Sequence, residues 1–149
     1  MKKKLLILVL IIILPLLWYL ISLLFIDKEV NEQLPITSET LEQNIILRGN
    51  FKGADSFHQV QGTASIVEIN NKKYLSLTDF ESTNGPDLKV YLAKGIDAND
   101  YVSLGDLKGN IGNQNYEIPS EIDLNQYSKV LIWCERFTVL FGSADLKDI

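Results

Sequence analysis

Residues 64–77 read ASIVEINNKKYLSL, two short runs rich in apolar residues joined by Asn70 and Asn71. Short apolar runs bounded by turn residues are typical of β-strands. Asparagine tolerates the positive φ that the central residues of a tight hairpin turn require. This stretch therefore predicts an antiparallel β-hairpin.

Short runs of the same kind continue on both sides of this hairpin. They are bounded by Gly, Asn, Asp and Pro, and none sustains a helical period. The predicted strands are 45–51, 57–62, 64–69, 74–77, 88–93, 101–107, 115–118, 130–134 and 137–141. Antiparallel strands joined by short connections form sandwiches or barrels, and we expect an all-β fold, an antiparallel β-sandwich of about eight to ten short strands.

An apolar segment, residues 5–26, precedes these strands and contains no charged residue. A helix of this length spans about 33 Å at about 1.5 Å per residue, close to the bilayer core of roughly 30 Å. The segment is longer than the apolar core of a signal peptide, and no small-residue cleavage site follows it. A helix buried in a soluble protein is the alternative, but a protein of this size cannot surround a helix that is apolar on every side.

The sequence therefore predicts one N-terminal transmembrane helix, a signal anchor within residues 1–26 that binds the lipid bilayer through residues 5–26. Three lysines at residues 2–4 precede it. By the positive-inside rule the N-terminus is cytoplasmic, and the C-terminal domain is extracytoplasmic at the cell membrane. Residues 27–43 are polar and are expected to form a stalk, followed by a β domain over residues 44–149.

The charge balance excludes one class of partner. The chain has 14 Lys and Arg against 19 Asp and Glu, a net charge of −5. Without the three N-terminal lysines, 11 basic residues face 19 acidic ones, which gives −8. Binding to a phosphate backbone depends on clustered Lys and Arg, so we expect no nucleic-acid partner.

The single cysteine, Cys134, and the single histidine, His58, exclude several kinds of site. A Cys₄ zinc site, an intrachain disulfide, a blue-copper site and covalent c-type haem attachment each need more of these residues. Non-covalent haem stays compatible because one axial ligand suffices. No Gly-x-Ser-x-Gly elbow, P-loop or dinucleotide-binding glycine motif occurs, and no metal site is expected.

Cys134 is the residue with the most reactive chemistry, and two interpretations of it stay open. At a strand end beside Arg136 its thiol could be redox-active or a ligand, with His58 as a partner that meets it in space. In a strand, Cys134 shares one face with Val130 and Ile132, so the alternative is a buried, inert side chain.

Two loops with unusual backbone demands are candidates for a binding site. Their polar residues are Asn84 and Asp87 in the first loop, and Asn110 and Asn113 in the second. Ordinary turn chemistry explains the same residues equally well, because Gly and Asn occur wherever a chain turns through positive φ.

Several of these segments together resemble the DM13 domain family. The segments are Gly49-x-Phe51, His58-x-x-x-Gly62, NGPDL at 84–88, LGDLKGNIGNQNY at 104–116 and IWCERF at 132–137. The resemblance implies a role in extracellular electron transfer, with Cys134 as a naked thiol or as a ligand to a group such as haem. It also implies an extracytoplasmic redox or surface protein as the partner.

Two functions follow as hypotheses. The first is a membrane-tethered redox module that uses Cys134, with His58 as a second candidate for cofactor binding. The second is a non-catalytic ligand- or protein-binding module in which Cys134 is buried and inert. We expect an electron-transfer or binding module more than a stand-alone enzyme.

Overall fold

The computed structural model of the chain describes residues 2–22, 26–34 and 44–149. Within these ranges the chain forms a helix, α1 (Lys2–Ser22), and nine β-strands that pair with one another antiparallel. The strands are β1 (Ile45–Gly53), β2 (Val60–Ile69), β3 (Lys72–Ser82), β4 (Leu88–Ala93), β5 (Tyr101–Asp106), β6 (Gln114–Ile118), β7 (Lys129–Cys134), β8 (Val139–Asp145) and β9 (Lys147–Asp148).

The strands form one sheet in the order β5-β4-β7-β8-β1-β2-β3-β6, and β9 also pairs with β1. Strand β1 joins the two halves of the sheet because it changes partner along its length. Residues 45–50 of β1 pair with β2, and residues 51–53 pair with β8. The sheet curls until β5 and β6 contact each other, so the expected two-sheet sandwich is replaced by a single, nearly closed barrel.

The hairpin between β2 and β3 is confirmed. Asn70 and Asn71 both have positive φ, 52° and 67°, as a tight primed turn requires. Strand β3 extends to Ser82, beyond the predicted residue 77, because its polar outward residues still pair with β2. Strand pairing between β2 and β3 thus continues beyond residue 77, where the apolar run ends.

Three other predicted strands are wrong in their bounds. The segments 57–62 and 64–69 are predicted as separate strands, but β2 is continuous from Val60 to Ile69 and contains a bulge at Gly62, where the register with β3 shifts. The predicted strand 137–141 instead begins as a turn, since Thr138 has a φ of 55° and β8 starts only at Val139. The structure thus has a bulge in the first place and a turn in the second.

The inside of the barrel is a single apolar core. Inward residues alternate along each strand, as the period of two requires. The buried core residues are Phe51, Val60, Ala64, Ile66, Leu75, Leu77, Phe80, Leu88, Val90, Leu92, Tyr116, Ile118, Val130, Ile132, Cys134, Phe141, Ala144 and Leu146. A smaller cluster lies on the outer face, where Tyr91 stacks on Tyr101 with ring centroids 4.1 Å apart.

The N-terminal helix is apolar and exposed along its described side chains. All residues from Val9 to Tyr19 are exposed. Among the residues that the structure describes, no helix is both long enough and apolar enough to cross a membrane. Residues 23–25 of the predicted anchor and residues 35–43 of the predicted stalk lie outside the described residues.

Candidate functional site

Cys134 is the last residue of β7, at the end of the barrel where several loops meet. It pairs with Leu88 of β4 on one side and with Val139 of β8 on the other. Its side chain is 0 % exposed and belongs to the inner core together with Val130 and Ile132, as the alternation predicted. The thiol is free and faces away from solvent.

The loops around Cys134 form what we call the loop end of the barrel, residues 54–59, 84–87, 107–113 and 135–138. Two of these loops are joined directly, since the Glu135 amide donates a hydrogen bond to the Asp87 carbonyl oxygen over 2.9 Å. The NGPDL segment is therefore hydrogen-bonded to the turn that follows Cys134.

Tight packing closes the space beneath the NGPDL loop. A Cβ atom added at Gly85 would lie 2.7 Å from Leu88 Cδ2 and 2.9 Å from Phe141 Cζ. Real Cβ atoms do not approach other atoms so closely, so only glycine fits here without movement of its neighbours. The apolar side chains of the core thus continue up to the loop that covers Cys134.

His58 lies at the same end of the barrel, but it is held by other residues. Its Nδ1 is 2.7 Å from Asp55 Oδ2, and its ring packs on Phe141 with centroids 4.5 Å apart. The hydrogen bond from His58 lowers the pKa of Asp55 to about 2, and the amides of His58 and Phe57 donate to the same carboxylate. The structure does not bring the His58 ring and the Cys134 thiol into a hydrogen bond.

A charged cluster surrounds Lys89 next to Cys134 in the sheet. The Lys89 Nζ is 2.6 Å from Asp106, 2.9 Å from Asp87 and 3.6 Å from Glu135. The hydrogen bonds to Asp106 and Asp87 raise the pKa of Lys89 well above its ordinary value. Asp87, a predicted loop residue, thus binds a lysine of the same domain, while Arg136 lies exposed on the following turn.

The other predicted loop residues hold residues 26–34, which we call the strap. Asn84 and Asn110 both donate side-chain hydrogen bonds to Asp27 Oδ1, over 3.1 and 2.8 Å. Asn113 donates to Asn31 over 3.2 Å. Part of the expected stalk therefore lies along the domain. The asparagines that bind it are those considered as candidates for a ligand-binding site.

Backbone and ionic contacts continue along the strap. The Val30 amide donates to the Ile111 carbonyl over 2.9 Å, and the Glu32 amide donates to the Asn113 carbonyl over 2.8 Å. The carboxylate of Glu32 accepts hydrogen bonds from Lys108 Nζ at 2.8 Å and from the Asn115 amide at 2.9 Å. Burial alone would raise the pKa of Glu32, but these donors outweigh it, and the pKa is lowered.

The glycines of the 107–113 loop allow the strap to approach. A Cβ atom at Gly109 would collide with the Lys28 carbonyl oxygen, and one at Gly112 would collide with the Val30 carbonyl oxygen. Gly112 also has a φ of 98°, which disfavours other residues. These glycines contact a segment some eighty residues earlier in the chain. A single sequence contains no signal for such a distant contact, so the strap could not be predicted.

Polar cavities open at the loop end beside the strap. One cavity of about 330 Å³ is lined by residues that include Asp27, Gln59, Glu81, Asn84 and Asn110. A second, of about 250 Å³, lies against the NGPDL segment and Gly109. Neither is lined by Cys134 or His58. Across the described part of the chain, no three His, Cys, Asp or Glu side chains are grouped to hold a metal ion.

The sequence of the domain matches a family model described as "Electron transfer DM13" over residues 50–146. The chain belongs to the DM13 family. This match covers most of the chain and includes both the NGPDL loop and Cys134 of this DM13 domain. Comparisons with curated proteins and with solved structures find no match.

The residues around Cys134 in this DM13 domain do not fit haem. Cys134 is fully buried in the apolar core, and neither of the two cavities at the loop end is lined by it. His58 is engaged by Asp55 and Phe141. The geometry therefore does not favour Cys134 as a ligand to a planar cofactor.

Proposed function

We propose that this DM13 domain is a membrane-tethered, extracytoplasmic electron-transfer module in which the Cys134 thiol is the redox centre. The family description supports the coarse role, and Cys134 supports the finer one because it is the single thiol of the sequence. Its partner is a redox or surface protein on the same side of the membrane.

The burial of Cys134 is consistent with this role under one condition. The condition is that the sulfur becomes accessible to a partner while the barrel stays folded. The NGPDL segment and the turn 135–138 adjoin the end of β7, where Leu88 pairs with Cys134 and the Glu135 amide binds the Asp87 carbonyl. Small openings of these two segments would expose the thiol without unfolding the barrel.

The membrane tether is supported by the character of α1. Its side chains from Val9 to Tyr19 are apolar and exposed, a surface that is unfavourable in water and favourable in lipid. Trp18 and Tyr19 lie near its C-terminal end, as aromatic residues do at a membrane interface.

The thiol reactivity of the purified full chain tests the redox proposal. We expect Cys134 to react with an aromatic disulfide reagent faster than the barrel unfolds globally on the same sample. The Cys134→Ala variant, which keeps the site apolar, gives the background rate. An absorption spectrum with metal analysis, before and after adding haem, tests for a bound group, and no new band is expected.

A second candidate function is supported by the complete burial of the thiol and by the polar cavity beside Asn84. In this case the domain is a non-catalytic binding module, and Cys134 packs the core. A thiol that reacts only at the rate of global unfolding would favour this second function and reject the first.

A further inference from the structure

Two aromatic side chains project into solvent at the loop end of the barrel. Phe57 is 83 % exposed and Phe137 is 65 % exposed. Each lies at a loop tip on the side of the barrel where β7 ends and β2 begins. Large exposed aromatic residues at one end of a domain are typical of surfaces that meet a lipid interface or another protein.

The backbone of both loop tips is held by hydrogen bonds within its own loop. The Asp55 carboxylate accepts hydrogen bonds from the amides of Phe57 and His58, over 2.7 and 2.8 Å, which fixes the tip of the first loop. The second tip is a tight turn in which the Thr138 amide donates to the Glu135 carbonyl over 3.4 Å. The loop tips that carry the two aromatic rings therefore have a defined backbone before they contact another surface.

The strap determines which end of the barrel is nearest to α1. Asn84 donates hydrogen bonds to the Ile26 carbonyl oxygen over 3.3 Å and to Asp27, so the chain joins the domain at the loop end. Ile26 lies four positions after Ser22, the last residue of α1. At no more than about 3.6 Å per residue, Ile26 lies within about 14 Å of the helix end.

The charges of the loop end favour contact with a neutral surface. Three carboxylates at or beside it, those of Asp87, Asp106 and Glu135, share the single Lys89, and this excess of negative charge disfavours an anionic surface. No basic cluster is available to attract anionic lipid headgroups. Any attraction to a bilayer must come from burial of apolar side chains.

We propose that the loop end of the barrel rests on the bilayer, with Phe57 and Phe137 in contact with the lipid headgroup region; this rests on the membrane tether proposed above. The loop end then faces the membrane, and the hairpin at Asn70 faces away from it. Cys134, at the end of β7, then lies in the half of the barrel nearest the membrane.

Fluorescent labels on the full chain in phosphatidylcholine vesicles test this orientation. Single cysteines are introduced by Phe57→Cys or Phe137→Cys in a Cys134→Ala background and labelled with an environment-sensitive dye. Ile96→Cys is the matched control, because Ile96 is an apolar residue, 56 % exposed, in the loop after β4 at the opposite end. The measurements are dye emission and its quenching by lipids that bear a shallow quencher.

We expect dyes at residues 57 and 137 to show blue-shifted emission and to be quenched by the lipid quencher, while a dye at residue 96 behaves as in water. Equal, water-like emission at all three positions in a chain that floats with the vesicles would overturn the orientation and leave the tether intact. Shielding of residues 57 and 137 from a soluble quencher without lipid quenching would indicate contact with a second copy of the chain and also overturn it. A chain that does not float with the vesicles would reject the tether itself.

Discussion

At the scale of single residues, the position of Cys134 follows from strand alternation, whereas its chemistry does not. Val130, Ile132 and Cys134 face the core as a period of two requires. Whether a thiol at the end of such a strand is accessible depends on the loops above it. Here those loops are fastened by the hydrogen bond between Glu135 and Asp87.

Replacing the Cys134 sulfur tests how apolar its surroundings are. We expect Cys134→Ser to lower the free energy of unfolding by about 1–3 kcal/mol, because a buried hydroxyl there lacks a hydrogen-bond partner. Cys134→Ala, which removes the polar atom as well, should cost less although it leaves a larger void. Urea unfolding followed by tryptophan fluorescence measures both, and a serine variant as stable as the alanine variant would show that the site is polar.

The pH response of the 54–59 loop depends on Asp55. Its pKa falls from the ordinary 3.8 to about 2, first because of the hydrogen bond from His58. A carboxyl with a lowered pKa stabilises the folded loop above pH 3.8, and this stabilisation is lost as the pH falls through about 2. The carboxyl resonance of Asp55 in an NMR titration reports this pKa.

The variant His58→Ala, which removes the side-chain donor, separates the two sources of this shift. The pKa of Asp55 should move part of the way back, because the amides of Phe57 and residue 58 still donate to it. Asp123 is the control, since its pKa is lowered by Gln126 and Asn125 instead. An unchanged Asp55 pKa in the variant would mean that the ring contributes nothing.

At the scale of elements, the strap is the feature that the sequence did not reveal. Residues 27–43 are polar and lack alternation, so an unattached stalk was the natural prediction. The contacts that fix residues 26–34 come from residues more than fifty positions away. Asn84, Asn110 and Asn113 stand out in the sequence as loop residues, with a ligand or ordinary turn chemistry as alternatives, but their partner in the strap could not be predicted because local patterns do not encode distant pairing.

Two glycines with positive φ provide a matched test of the strap. Gly112 has a φ of 98° and faces the Val30 carbonyl, whereas Gly105 has a φ of 116° and nothing within 4 Å of an added Cβ. Both Gly112→Ala and Gly105→Ala introduce backbone strain. Only the Cβ atom added at residue 112 collides with the strap. We expect Gly112→Ala to lose about 1 kcal/mol more, the scale of one net hydrogen bond.

Hydrogen exchange locates this difference in the chain. The amides of Val30 and Glu32 should exchange faster in Gly112→Ala than in Gly105→Ala, since they donate to the Ile111 and Asn113 carbonyls. Equal exchange at both amides in the two variants would contradict attachment of the strap through this loop.

At the scale of the whole molecule, strand number and direction could be predicted, but closure into a barrel could not. The apolar runs gave nearly every strand, because one buried face imposes alternation wherever a strand lies. A sandwich and a barrel share that pattern. The difference arises in β1, whose first part pairs with β2 and whose last residues pair with β8. The amino-acid composition of β1 does not indicate this change of partner.

The barrel closes between β5 and β6 through side chains, and this seam is where we expect the whole fold to be weakest. The Tyr116 hydroxyl lies 3.2 Å from the Asp106 carbonyl oxygen of β5 and 2.7 Å from Gln114 Oε1. The Lys108 amide donates to the same hydroxyl over 3.2 Å and to Gln114 Oε1 over 3.0 Å. Gln114 is fully buried and also donates to the Gly109 carbonyl, so these groups form one connected network.

Removing one hydroxyl from this network should loosen the entire barrel. We expect Tyr116→Phe to lower the free energy of unfolding by about 1 kcal/mol, because it breaks a buried hydrogen-bond network while keeping the ring in the core. Tyr74→Phe is the control, since Tyr74 lies outside the inner core. Exchange of the Lys108 amide should accelerate only in Tyr116→Phe. If both variants unfold at the same urea concentration with unchanged exchange at Lys108, the seam is held by its apolar side chains and not by Tyr116.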